Sequence, residues 1–206
     1  MNAAARVFLV DDQPAVLKGL ARLLTAAGYT VQAYATAQAF LDSGCANAEG
    51  CLVLDMSMPE MDGLALQQAL AASASRLPVI FLTGHGDLDS GIRAMKLGAA
   101  DFLTKPVDDE RLIAAVQQAL ARNHQVRADD AERADIAARL ASLTPREAEV
   151  MNLVIEGMLN KQVAAALGTV EKTVKVHRAR VMAKMQVRSV TALVRLVDRI
   201  RGGTPH

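Results

Sequence analysis

Through residues 1–121, short apolar runs alternate with longer stretches whose apolar positions recur at helical spacing. The runs at 6–10 (RVFLV), 30–34, 51–54, 79–82 and 101–103 read as β-strands. The stretches at roughly 14–27, 36–44, 63–74, 87–97 and 108–121 read as helices, with Gly28, Gly63 and Gly98 near their ends. Five strands alternating with five helices predict an α/β doubly wound, five-stranded parallel sheet covered on both faces. In such a sheet, functional groups gather at the carboxyl ends of the strands.

The pattern changes after residue 121. Residues 122–142 are Ala-rich, charged and free of Gly and Pro, which predicts a helical linker that can run on from the preceding helix. Their apolar positions are too sparse for a coiled coil. Residues 143–200 predict an all-α, four-helix domain. Its first helix is announced by Thr144 as N-cap, Pro145 at the first helical position and Glu147 three residues after the cap. Helix 160–167 is followed by a turn at Gly168-Thr169 and by helix 171–185, whose inward stripe is Val174, Val181 and Met185. A last helix starts near Ser189 with one apolar stripe of Val190, Leu193, Val194 and Val197 and a second of Leu196 and Ile200. The expected division is therefore 1–121, linker 122–142, and 143–206.

About half the residues (51%) are apolar, enough for compact cores, yet no run is long enough to span a bilayer. The first residues lack the features of a secretory signal. Cys45 and Cys51 lack CxxC spacing, which suits reduced thiols in a cytoplasm better than a disulfide or zinc site. The net charge of +1 hides an asymmetry. Residues 1–121 carry 8 Lys/Arg against 13 Asp/Glu; residues 143–206 carry 11 against 5. An acidic front and a basic back suggest two modules, the second suited to a polyanion.

The candidate chemistry lies at the predicted strand ends. Asp11 and Asp12 follow the first strand, Asp55 the third, Thr83 the fourth and Lys105 the fifth. In a parallel sheet these side chains converge on one edge. Three carboxylates suit a hard divalent cation, Mg²⁺ above all. A carboxylate such as Asp55 can serve as nucleophile toward a phosphoryl group, with Thr83 and Lys105 contacting its oxygens.

The fragments VDDQP, LDMSMPEMDG, IFLTGHGD and GAADFLTKP resemble the receiver domains of two-component response regulators, over about residues 6–121. The resemblance implies a flavodoxin-like receiver fold. It implies Asp55 as phosphoacceptor, with Asp11, Asp12, Asp55 and the backbone carbonyl of Ser57 as Mg²⁺ ligands. It implies Thr83 and Lys105 as the phosphate-binding pair, Phe102 as the aromatic switch, and a cis bond between Lys105 and Pro106. Two positions depart from the common pattern: Gln13 replaces a third acidic residue, and Phe102 replaces Tyr, which leaves no hydroxyl for an outward hydrogen bond. In helix 87–97, Leu88, Ile92 and Met95 follow helical spacing, Leu88 and Met95 also suiting the core. By resemblance to the FixJ/NarL class, Ile92 and Lys96 lie on a phosphorylation-dependent dimer surface.

The segment from about Leu143 to Ile200 resembles the LuxR-type helix-turn-helix domain of that class. Lys172, Lys175, Val176, Ala179 and Arg180 share one face of helix 171–185, a basic face that suits the major groove. By resemblance, Lys175, Val176 and Ala179 read bases, while Lys161, Lys172, His177, Arg178, Arg180 and Lys184 are candidate phosphate contacts. The family places Ser or Thr as N-cap of this helix; Val170 stands there, so either Thr169 shifts the start or the cap is lost. The pairing implies a bacterial, cytoplasmic transcription regulator that is not an enzyme. Its implied partners are a sensor histidine kinase, double-stranded promoter DNA, a second copy on phosphorylation, and RNA polymerase as a further candidate, with no membrane. Two alternatives stand beside it. One is a Mg²⁺-dependent phosphatase using Asp55, although the haloacid-dehalogenase pattern needs a carboxylate where Ser57 stands. The other is an interaction protein with an inert receiver.

Overall fold

Alternating side chains of the first half separate onto two faces of one sheet. The computed structural model describes residues 5–84 and 88–201; His85–Asp87, which end the IFLTGHGD stretch, and the side chain of Leu88 lie outside the described residues. The strands are β1 (Arg6–Val10), β2 (Thr30–Tyr34), β3 (Cys51–Asp55), β4 (Val79–Thr83) and β5 (Asp101–Thr104). All pair in parallel, in the order β2-β1-β3-β4-β5. Phe8, Val10, Leu52, Leu54, Val79 and Phe81 face α2 (Ala37–Asp42), α3 (Gly63–Ala72) and α4 (Leu88–Lys96). Val7, Leu9, Val53, Ile80, Leu82 and Leu103 face α1 (Pro14–Ala26) and the start of α5 (Asp109–Ala141). Strands β3 and β4 are buried on both faces, which explains their unbroken apolar runs. The strand order reverses between β1 and β3, so a crevice opens beyond their carboxyl ends. Cys45 and Cys51 are free, and burial pushes the Cys51 thiol up to about 12.

Helix α5 runs from Asp109 to Ala141 without a break, because no Gly or Pro interrupts it. The chain forms two compact units, Met1–Arg127 and Ala128–His206, so residues 122–127 belong to the first and the rest of this helix from 128 to the second. In the first unit, the buried Asn123 accepts from the Gly50 N–H at 3.2 Å and donates to the Arg76 carbonyl at 2.7 Å. Arg127 donates to the carbonyls of Asn47 and Ala48. In the second, Ile136 is 1% exposed and belongs to the core.

The second unit continues with α6 (Pro145–Ile155), α7 (Asn160–Ala166), α8 (Glu171–Lys184) and α9 (Val190–Arg201). Val150, Met151, Val154, Val163, Val174, Val181, Met185, Leu193 and Val197 are buried between them. This core is entirely aliphatic and thioether; no Phe, Tyr or Trp occurs after Phe102. The capping box forms: Thr144 Oγ1 accepts from Glu147 N–H at 3.3 Å, and Glu147 Oε2 accepts from Thr144 N–H at 2.9 Å. Gly168, at φ 61°, adopts the left-handed conformation that ends α7. Ser189 caps α9 through the Ala192 N–H.

Val170 is the N-cap of α8, with extended backbone and no side-chain hydrogen bond, so the helix start is not shifted to use Thr169. The first-turn N–H groups lack an acceptor that a hydroxyl would supply. Val170→Ser is expected to stabilise the second unit by about 1 kcal/mol. Thermal unfolding by far-ultraviolet circular dichroism checks this; an unchanged midpoint would show those groups to be satisfied otherwise. Among the described residues, no helix is long and apolar enough to cross a membrane.

Candidate functional site

At the carboxyl edge of the sheet, strand order decides what meets. Asp11 follows β1 and Asp55 ends the adjacent β3, so their side chains are neighbours although distant in sequence. Both are buried, at 2% and 4% exposure. Lys105 follows β5 and reaches back over β4. Its ammonium lies 2.6 Å from Asp11 Oδ2 and 2.6 Å from Asp55 Oδ1. The backbone N–H of Lys105 donates to the Thr83 carbonyl at 2.6 Å, which ties the lysine to the end of β4. Thr83 is itself buried and stands opposite Thr104. The Lys105–Pro106 bond is cis.

The loop after β3 is shaped by close approach. The Ser57 N–H donates to Asp55 Oδ2 at 3.0 Å, and the Gly63 N–H donates to the Met56 carbonyl at 3.0 Å. A Cβ at Gly63 would lie 2.5 Å from the Asp55 carbonyl oxygen, so only glycine fits. At the α4 end, the buried Gln67 donates to the carbonyls of Ala94 and Leu97, both at 3.3 Å, satisfying part of that helix terminus.

The charges are mutually dependent. Burial pushes the Asp55 carboxyl above its ordinary value, against the opposing pull of the Lys105 ammonium. For Lys105, burial works to lower the value, but the hydrogen bonds and charges of Asp11 and Asp55 outweigh it and hold the ammonium above its ordinary range. The lysine thus neutralises two carboxylates that would be costly to bury alone.

The expected three-carboxylate cluster is only partly assembled. Among the described residues, no three His, Cys, Asp or Glu side chains gather closely enough to hold a metal. Lys105 stands between Asp11 and Asp55 and pairs with both. Asp12, however, keeps its Oδ1 buried and without a protein partner. An unsatisfied buried carboxylate oxygen on the residue next to Asp11, at the same strand edge, is the kind of donor that a hard divalent cation takes.

On α4, Ile92 is 44% exposed and Lys96 is exposed, as a contact surface requires. Met95, which also suited the core, is half-exposed at 49%. Together with Gly91 and Phe102 these residues line an open apolar depression.

In the second unit, α8 presents Lys172, Lys175, Val176, Ala179 and Arg180 to solvent, while Val174, Val181 and Met185 are buried. Lys161 is exposed on α7. Glu171 pairs with Lys175 at 3.1 Å. Arg178 is partly buried and donates to Asn160 Oδ1 at 2.9 Å, so it also fastens α8 to α7. His177 is partly buried, with Nδ1 enclosed and unpartnered, closer to a packed position than to an open phosphate contact.

Lys184 differs from the other expected DNA contacts in being engaged within its own unit. Its ammonium donates to Glu147 Oε2 at 2.7 Å and to the Ser142 carbonyl at 2.8 Å. It is occupied in holding α8 to the start of α6. The signal for this was present: Glu147, Val150, Met151 and Val154 lie at i, i+3, i+4 and i+7, so the capping glutamate falls on the buried stripe and needs a cation. The Lys184 hydrogen bond, the Thr144 N–H and the Lys184 charge hold the Glu147 carboxyl down at about 2, from an ordinary 4.5. A depressed carboxylate contributes stability that is complete above pH 4.5 and is lost as pH falls toward 2. The second unit is expected to weaken across that window, and Glu147→Gln, which keeps an acceptor but no charge, to flatten the loss. Acid titrations followed by amide hydrogen exchange in α6 and α8 check this; equal slopes in both proteins would remove Glu147 as the cause.

The chain matches the family of response regulator receiver domains over residues 7–117 and that of bacterial regulatory proteins of the luxR family over 141–197. It is 42% identical to the response regulator protein TmoT of Ectopseudomonas mendocina, over 95% of this chain and 89% of that one. It is also 42% identical to the transcriptional regulatory protein FixJ of Bradyrhizobium diazoefficiens, over 97% of each. Among solved structures, the response regulator StyR superposes with a TM-score of 0.90 at 43% identity, covering 96% of this chain and all of that one. Full-length FixJ from B. japonicum gives 0.60 at 41% identity, covering 96% and 98%. Receiver fold, helix-turn-helix unit and relatives along nearly the whole chain agree: the protein belongs to the two-component response regulators, with an N-terminal receiver domain and a C-terminal LuxR-type DNA-binding domain.

Proposed function

We propose that Asp55 is the phosphoacceptor of this regulator and that its phosphorylation promotes dimerisation and promoter binding. The observation that carries this is the Lys105 ammonium at 2.6 Å from both Asp11 and Asp55, groups brought together only by the fold. In the reaction, an Asp55 carboxylate oxygen attacks the phosphorus of a phosphohistidine on the kinase. The P–N bond breaks as the P–O bond forms, and the imidazole leaves to take up a proton. Lys105 exchanges a carboxylate contact for a phosphoryl oxygen, and the Thr83 hydroxyl donates to another. Asp11, Asp12, Asp55 and the Ser57 carbonyl would hold Mg²⁺, which supplies charge neutralisation during transfer. Phe102 then shifts toward Thr83, the α4–β5 surface is remodelled, and Ile92 and Lys96 meet a second copy.

On α8, Lys175, Val176 and Ala179 read base edges, while Lys161, Lys172 and Arg180 bind phosphates, with Arg178 and His177 at the margin. The setting is a bacterial cytoplasm, with RNA polymerase as a downstream partner. Phosphatase turnover is disfavoured because Ser57 offers Asp55 a backbone N–H where a second carboxylate would be needed.

Incubation with acetyl phosphate and Mg²⁺ tests the receiver half: one hydroxylamine-labile phosphoryl group on Asp55 is expected, and a failure to label supports the inert alternative. For the DNA half, Lys175→Ala is expected to relax base preference at one position, by about tenfold in discrimination. Equal losses on every sequence would remove Lys175 from base reading.

A further inference from the structure

Gly91 lies in the interior of α4, where glycine is among the poorest helix formers. It is not one of the positive-φ glycines, so backbone conformation does not call for it. Space does. A Cβ at this position would stand 3.1 Å from Cζ, 3.2 Å from Cε1 and 3.4 Å from Cδ1 of Phe102. One side of the ring therefore lies directly on the bare Cα. Gly91 is buried, while Ile92, Met95 and Lys96 around the same depression are exposed. On its other side, Phe102 packs against the core cluster that contains Phe81, the residue opposite it on β4. Two positions further along β4 is Thr83, whose carbonyl holds the Lys105 N–H. The ring is thus bounded by α4 on one side and by the strand leading to the phosphorylation site on the other.

We propose that Gly91 is a positioning residue that seats Phe102 against α4 in the resting receiver, an inference that rests on the reading of Asp55 and Phe102 above. The missing side chain sets the resting position of the switch. A methyl group at residue 91 presses on the ring edge, so that Phe102 must give by a few tenths of an ångström away from α4 and toward Thr83. That displacement favours the arrangement the phosphoryl group otherwise selects.

The test compares the full-length wild type, Gly91→Ala, Phe102→Ala and the double variant, with self-association measured by analytical ultracentrifugation without phosphodonor. Gly91→Ala is expected to tighten donor-free association about fivefold, a coupling ordinary for residues in contact. In the Phe102→Ala background the same change is expected to be less than about twofold, because there is no ring to displace. Unchanged or weaker association of Gly91→Ala would overturn the proposal. So would an equal effect in both backgrounds, since improved helix propensity would then be the cause. Wild-type protein that does not label at Asp55 overturns the functional reading and this inference with it; normal labelling with an inert Gly91→Ala overturns the inference alone.

Discussion

Asp55→Asn protein is expected to take up no hydroxylamine-labile phosphoryl group from acetyl phosphate, and to self-associate equally with and without the donor. An amide has no anionic oxygen to attack phosphorus, so the acyl phosphate cannot form. The fold should survive the change. Lys105 keeps its 2.6 Å ion pair with Asp11, and the buried repulsion between the carboxylates of Asp11 and Asp55 disappears. An Asn oxygen can still accept from the Ser57 N–H. Loss of labelling is thus separable from loss of structure. Intact-mass spectrometry and sedimentation, run beside the wild type, give the result. Labelling or donor-dependent association that persists in Asp55→Asn would move the acceptor to another side chain.

Ile136→Ala should strongly destabilise the second unit. Ile136 is carried by the helix that begins in the first unit, yet its side chain is 1% exposed in the core of the second. Truncating a fully buried isoleucine costs about 2–5 kcal/mol, because the surroundings collapse only in part around the void. A unit the size of Ala128–His206 has roughly 4–12 kcal/mol of total stability at ordinary values per residue. Amide protection in α8 and α9 should therefore fall by more than about tenfold, with the strands of the receiver unaffected. A fragment beginning at residue 128 should likewise outlast one beginning at 143. Unaltered protection in α8 and α9 would show that Ile136 is dispensable to that core.

The receiver was readable almost residue by residue because its physics is local and repetitive. Strands β3 and β4 are unbroken apolar runs, and each ends on the polar residue that forms the edge. That Asp11, Asp55 and Lys105 meet follows from the parallel order alone. What could not be read depends on single residues in polar surroundings. Ile136 stands in a charged stretch, and its only apolar companions at helical spacing, Leu140 and Leu143, lie at the very end of that stretch, too short a stripe to assign it to a core. Asn123 and Arg127 look like ordinary helix surface until the carbonyls of Arg76, Asn47 and Ala48 are found beside them. Lys184 falls in line with the basic residues of α8, and only its partner, a glutamate on an apolar stripe, distinguishes it. The position of Lys105 between two carboxylates is likewise a matter of charge balance inside the fold, which spacing along the chain does not express.

Since every Phe and Tyr precedes residue 103 and the chain has no Trp, tyrosine emission and near-ultraviolet dichroism see the receiver alone. Far-ultraviolet dichroism sees both halves. A single denaturation series read in the two spectral ranges therefore resolves whether the halves melt together or in succession, with no label attached and no domain excised.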